Sequence, residues 1–163
     1  RLSLFLGSYG GRFVERSKHS GKFFDGTITS DTYSMVDVDY NLDGKPDLSV
    51  APWSVWDCEA GVAINDTPFR VFRNDGSYSG NWIGFYVPSS FNNSLIKIKT
   101  PDKNFYKPIK VQGSTGSNLD GQIHVGLGKI NTIDNLEIFW SDNTTSTIQS
   151  SDLVLNSYNR INK

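Results

Sequence analysis

Asp39, Asn41, Asp43 and Asp47 set four side-chain oxygen donors in the stretch Asp37-Val-Asp39-Tyr-Asn41-Leu-Asp43-Gly44-Lys45-Pro46-Asp47-Leu48. Counted from Asp39 they stand at positions 1, 3, 5 and 9, with Gly44 at position 6. A tight loop sends every second side chain towards one point, and Ca²⁺ takes about six to eight hard oxygen ligands at such a point. The chain must turn sharply after Asp43, and glycine adopts the positive φ of such a turn without steric cost. Lys45 then offers its backbone carbonyl while its ammonium points to water. Three carboxylates suit Ca²⁺ better than Mg²⁺, which keeps its own waters in a strict octahedron. The expectation is therefore a Ca²⁺ site made by Asp39, Asn41, Asp43, the Lys45 carbonyl and Asp47, with water completing the shell. Asp37 precedes the loop on a strand and reads as a supporting group. The competing reading is a solvated Asp/Asn/Gly turn that holds no ion.

The segments that must carry this loop are short, apolar and β-prone: Tyr33-Ser-Met-Val36 before it and Leu48-Ser-Val50 after it. An EF-hand would have helices here and a Glu at position 12, where this chain has Val50. A calcium loop between two strands, closed by Asp at position 9, resembles the FG-GAP/VCBS repeat of integrin-type β-propellers. The run Gly11-Arg-Phe13-Val-Glu-Arg-Ser, then Gly21, then the Asp-rich loop is similar to one VCBS unit. A propeller blade takes about 40–50 residues, so one loop in about 85 residues is too little for a closed propeller. Open sheet edges seek partners, which makes self-association into a homo-oligomer or filament the expected assembly.

Further along, Asn81 to Val87 opens a second set of strands. Leu95-Ile96-Lys97-Ile98-Lys99 puts its isoleucines on one face and its lysines on the other. Pro101 to Asn104 makes a turn, and Phe105 to Val111 reads as the returning strand. Gln122 to Gly128 follows a Gly/Ser-rich connection. Leu136-Glu-Ile138-Phe-Trp140 alternates before a turn at Asp142-Asn143, Thr145 to Gln149 pairs back, and Tyr158 to Ile161 closes the sheet. Asn81-Trp82, Asn92-Asn93, His124-Val-Gly126-Leu127-Gly128 and Leu136-Glu-Ile138-Phe-Trp140-Ser-Asp142 resemble the ASPIC/UnbV domain, which follows VCBS repeats in cartilage acidic protein-like secreted proteins. That pattern ends in Trp-Pro-Asp-Gly, whereas Ser141 and Asn143 stand here for Pro and Gly. The two resemblances cover roughly residues 10–163 and imply an all-β extracellular module for which no enzymatic activity is established. The expected fold is all-β: a propeller-blade-like unit with a Ca²⁺ loop over residues 1–80, then an antiparallel β-sandwich or barrel-like module over 81–163.

Composition agrees with a β-rich chain, with aromatic residues at 13% and helical periodicity in no window. Its 163 residues suffice to bury roughly 70% of the unfolded surface. Net charge is −1, so there is no basic field for nucleic acid or anionic lipid, and no apolar run approaches the ~20 residues of a membrane span. The opening Arg1 reads as the start of a processed product or fragment. Leu2-Ser-Leu-Phe-Leu6, apolar on both faces, reads as a strand docked within the fold or onto a neighbouring copy.

Two histidines and one cysteine, with no zinc-spaced cluster, point away from catalysis. His124 reads as packing or a cross-strand hydrogen bond. Cys58 reads as a buried apolar group or an intermolecular bridge. Trp53, Trp56, Tyr78 and Trp82 read as core aromatics or as a lectin-like stacking face beside the loop. The sequons at Asn65, Asn92 and Asn143 fall in turns and mark candidate glycosylation sites. The functional expectation is a secreted, calcium-stabilised structural or adhesive protein, a subunit of an extracellular polymer. The alternative is a calcium-dependent module that binds glycans or other cell-surface proteins.

Overall fold

The structure is a computed structural model, and it describes residues 5–8, 12–15, 32–52, 56–57, 62–63, 69–77, 79–109, 112–114, 117–118 and 121–163. Every regular element there is a β-strand or a short 3-10 turn, and no α-helix occurs among the described residues. The fold is all-β. Two compact units are present: residues 1–35 with 49–72, and residues 36–48 with 73–163.

In the first unit β1 (Phe5–Ser8) and β2 (Arg12–Glu15) form an antiparallel hairpin, and β5 (Trp56–Asp57) pairs with β6 (Val62–Ala63). β3 (Thr32–Val38), β4 (Asp47–Pro52) and β7 (Arg70–Phe72) make a three-stranded sheet in the order β3-β4-β7. The chain passes from the first unit to the second along β3 and returns along β4. Leu2, Leu4, Trp53, Cys58, Asn65 and Tyr78 lie outside the described residues.

The second unit is built on two sheets. β8 (Asn81–Tyr86) is the centre of one, flanked by β13 (Gln122–Gly128) and β16 (Tyr158–Arg160). β13 runs antiparallel to β8, while β16 runs parallel to it. The other sheet is antiparallel throughout, in the order β10 (Asn104–Pro108), β9 (Leu95–Lys99), β14 (Asn135–Phe139), β15 (Thr145–Gln149). A short hairpin of β11 (Gln112–Ser114) and β12 (Ser117–Asn118) stands in the Gly/Ser-rich connection.

Alternation along the strands decides what faces the core. Ile96 and Ile98 of β9, Leu136 and Ile138 of β14, and Ile83 and Phe85 of β8 are all fully buried. They join Ile123, Val125 and Leu127 of β13 in one cluster, so two sheets share a core. Each such side chain contributes about 1.5–3 kcal/mol relative to exposure. On the opposite face of β9, Lys97 and Lys99 reach Glu137 of β14 at 3.0 and 2.5 Å.

The strand expected over 105–111 is β10, Asn104–Pro108. Ile109 carries on in the same register against the chain before β9, its N–H donating to the Ser94 carbonyl at 2.8 Å, and residues 110 and 111 lie outside the described residues. The turn after β14 holds Asn143 at φ +65°, with its N–H on the Trp140 carbonyl at 3.0 Å. Asparagine tolerates this left-handed conformation better than most residues, so it can serve where the pattern has glycine.

Candidate functional site

β3 delivers the chain to Asp39 and β4 takes it up again at Asp47. Between them Leu42 and Gly44 both take left-handed backbone, at φ +60° and +81°, which curls the loop back on itself. The Asp39 carboxylate fills the curl. Its Oδ1 accepts the Asp43 N–H at 3.0 Å and its Oδ2 the Gly44 N–H at 2.8 Å. Asp43 Oδ1 accepts the Lys45 N–H at 2.9 Å, and its Oδ2 accepts the Asn41 amide at 3.0 Å. Asp47 closes the loop, accepting the Tyr40 N–H at 3.3 Å and the Asn74 N–H at 2.7 Å.

Asp39 is 1% and Asp47 2% exposed, whereas Asn41 and Asp43 lie at the surface. Among the described residues no lysine or arginine forms a salt bridge with either buried carboxylate. Their recorded partners are neutral N–H and O–H groups. Buried carboxylates are costly unless charge or many hydrogen bonds compensate them. In kind, then, the donors fit a hard divalent cation: three carboxylates, one amide oxygen and backbone carbonyls. Convergence is less advanced. Among the described residues no three His, Cys, Asp or Glu side chains are grouped closely enough to hold a metal ion.

The loop does not hang free. Strand alternation in β8 and β13 sends Ile83, Phe85, Ile123 and Val125 into the core, and Trp82, Gly84, Gln122, His124 and Gly126 to the other face. That outer face receives the loop. Gln122 pairs with the backbone of Asp39 twice: its Oε1 accepts the Asp39 N–H at 3.1 Å and its amide donates to the Asp39 carbonyl at 3.3 Å. His124 Nε2 meets the Gly44 carbonyl at 2.9 Å. A carbonyl only accepts, so Nε2 carries the proton. Burial holds the His124 imidazole below its ordinary pKa, and the Gly44 bond opposes this.

Tyr158 O–H donates to Asp39 Oδ2 at 3.1 Å. Burial, then the charge of Asp39, pushes that phenol well above its usual range, so it stays a donor. The aromatic rings form a floor. Trp82 stacks on His124 with centroids 5.2 Å apart and meets Tyr158 at 5.0 Å. Gly84 leaves room for the Tyr158 ring, since a Cβ there would lie 2.2 Å from Tyr158 Cδ1.

The strand that carries Gln122 and His124, and the β14–β15 hairpin behind it, contain the segments His124 to Gly128 and Leu136 to Asp142. Residues 92–161 match the family model described as ASPIC and UnbV. The ASPIC/UnbV stretch thus supplies Gln122, His124 and Tyr158, whereas Trp82 and the loop precede it. No curated protein matches the chain.

Of the residues expected at the site, Asp39, Asn41, Asp43, Lys45 and Asp47 share one loop, and Asp37 is exposed beside it. Trp82 is 8% exposed and packed under Gly44, so only a small part of it reaches the groove beside the loop. Gln122 and Tyr158 carried no signal in sequence beyond their alternation with core residues. Asn92 and Asn143 are exposed, and Asn65 lies outside the described residues.

Proposed function

We propose that the chain is a calcium-stabilised structural or adhesive module of a secreted protein, in which an FG-GAP/VCBS-type loop is built onto an ASPIC/UnbV domain. The observation that carries this reading is the pair of buried carboxylates, Asp39 and Asp47, set in a loop rich in hard oxygen donors and matched only by neutral groups among their recorded partners. Ca²⁺ would be held by Asp39, Asn41, Asp43, the Lys45 carbonyl and Asp47, and would bring positive charge to these carboxylates. The role is structural, and the reading assigns the chain no catalysis.

Extracellular calcium is abundant, and modules that use it bind with Kd on the order of 10⁻⁴–10⁻³ M. At 100 times Kd the ion would stabilise the fold by about 2.7 kcal/mol. Titration calorimetry with CaCl₂ should show one such site, lost or at least tenfold weakened in Asp43→Ala. A variant that binds like the parent would refute the assignment.

Self-association belongs to the same reading. β10 and β15 are the edge strands of their sheet, and Tyr106 and Phe139 lie exposed on that sheet. Edges of this kind pair with other chains unless blunted. Sedimentation at increasing concentration, with calcium, should show homo-oligomers; a monomer throughout would remove this part.

A groove of about 510 Å³ favours a second reading, a calcium-dependent binding module for glycans or cell-surface proteins. It runs beside the loop and is lined by Lys45, Asn74, Asn81, Trp82 and Asn156. Glycan binding that EDTA abolishes would select it over the structural role.

A further inference from the structure

We infer that β15 is the strand through which two copies of the chain pair, edge to edge about a two-fold axis, so that their β10-β9-β14-β15 sheets run on into one. The inference rests on the self-association reading above and names the contact. The two sheets that share the core end in β10, β15, β13 and β16. A sheet edge is kept from pairing by proline, charge, a bulge or short length. β13 is bulged between Gly126 and Gly128, and β16 has three residues.

The choice between β10 and β15 turns on which backbone groups each presents. Bonded and non-bonded pairs alternate along an antiparallel ladder. Ile109 N–H donates to the Ser94 carbonyl in register with the β10–β9 ladder, so Lys107 and Phe105 also bond towards β9. Asn104, Tyr106 and Pro108 then turn their backbone outwards, and proline has no N–H to offer. Lys107 adds a charge beside it. This edge is blunted.

β15 is open. Trp140 N–H donates to the Thr144 carbonyl at 2.9 Å in register with the β14–β15 ladder, so Ser146 and Ile148 bond towards β14. The N–H and carbonyl groups of Thr145, Thr147 and Gln149 turn outwards, and no backbone group takes them among the described residues. Thr145–Gln149 holds no proline, glycine or charge, and Thr145, Thr147 and Ile148 are of the β-branched type that suits a strand. A two-fold axis through Thr147 sets that residue against its own copy, and Thr145 against Gln149 of the second copy. Every outward group is then used, in three bonded pairs with about six hydrogen bonds in all. No charge meets its like within the ladder. The half-buried Ser146 and Ile148 stay on the core side in both copies. A two-fold contact closes on itself, so the product is a discrete dimer rather than a filament.

The test uses the full chain, made in a host that adds no glycan, in calcium-containing buffer. Thr147→Pro removes an N–H that points away from β14, so the chain's own ladder stays whole. Sedimentation should show the dimer weakened about thirtyfold, the loss of two bonds of about 1 kcal/mol net each, with near-UV circular dichroism unchanged. Tyr106→Pro, the matched change at an outward position of β10, should leave the dimer as it is. In the parent, the Thr147 amide should exchange slowly at concentrations where the dimer forms and quickly on dilution, while Ser146 and Ile148 stay protected throughout.

If the parent self-associates and Thr147→Pro does so equally well, or if Tyr106→Pro is the variant that dissociates, the β15 contact is refuted and the self-association reading stands. A parent that is monomeric at every concentration removes both. Should Thr147→Pro fail to fold, the parent decides: a dimer in which Thr147 exchange does not depend on concentration overturns the proposal.

Discussion

Gly44→Ala should unfold the loop from its sheet. Gly44 sits at φ +81°, and a Cβ built there would lie 2.0 Å from Trp82 Nε1 and 2.2 Å from Cε2. Two costs follow. Left-handed backbone costs an L-residue about 1–2 kcal/mol. Driving a methyl into a packed indole costs a further 1–3 kcal/mol or so as the ring is displaced. Trp82 cannot simply yield, because it is stacked on His124 and set against Tyr158. The sum is a loss of about 2–5 kcal/mol.

Gly126→Ala is the matched control. Gly126 lies opposite Trp82 in the β13–β8 ladder, but a Cβ there meets nothing within 4 Å. Its replacement should be neutral, or stabilise by about 0.4–1 kcal/mol through the unfolded chain. Urea denaturation in EDTA, followed by near-UV circular dichroism, measures both without the ion's contribution. A Gly44→Ala variant within about 0.5 kcal/mol of the parent, the range of ordinary surface changes, would refute this account of the loop's packing. So would a Gly126→Ala variant that is equally harmful.

Leu136→Ala, at a fully buried position between the sheets, should cost about 2–5 kcal/mol in the same assay. Leu42→Asn should stabilise by a few tenths to about 1 kcal/mol, because Leu42 is exposed and left-handed while asparagine tolerates that backbone; a loss would show that its side chain matters. The hydrogen bonds from Lys99 and then Lys97 hold Glu137 below its usual carboxyl range. The folded form therefore releases that proton more readily, and the stabilisation is present at neutral pH and lost as pH falls through the lowered value. Glu137→Gln should flatten that acid limb in urea titrations across pH 2–6, and an unchanged limb would count against it. In material from a glycosylating secretory route, intact mass should show glycan at Asn92 or Asn143; only the bare chain would count against it.

Much of the ASPIC/UnbV stretch was legible because its signals are local. Ile96/Ile98 and Leu136/Ile138 alternate with polar residues, and alternation of that kind fixes which face is buried. The loop, too, was legible, since Asp39, Asn41, Asp43 and Gly44 sit within six residues of sequence. What holds the loop was not. Gln122, His124 and Tyr158 are each at least 80 residues from the loop residue that they hold, and nothing in a glutamine or a tyrosine announces a distant partner. The parallel direction of β16 was hidden for a related reason: three residues carry no record of strand direction. His124 was expected to pack or to bond across strands; it does pack, on Trp82 of the neighbouring strand, while its hydrogen bond goes to the loop.

The loop's attachment to residues so much later in the chain has a consequence for biosynthesis. Tyr158 follows Asp39 by 119 residues. At roughly 5–20 residues per second a ribosome takes about 6–24 s to cover that interval. For that time the acidic curl has emerged while the sheet that receives it does not yet exist. Residues 49–72 are made in between and belong to the other unit. Docking must therefore wait until the later strands have been made, and nascent chains stalled before Gln122 should leave residues 39–47 open to protease.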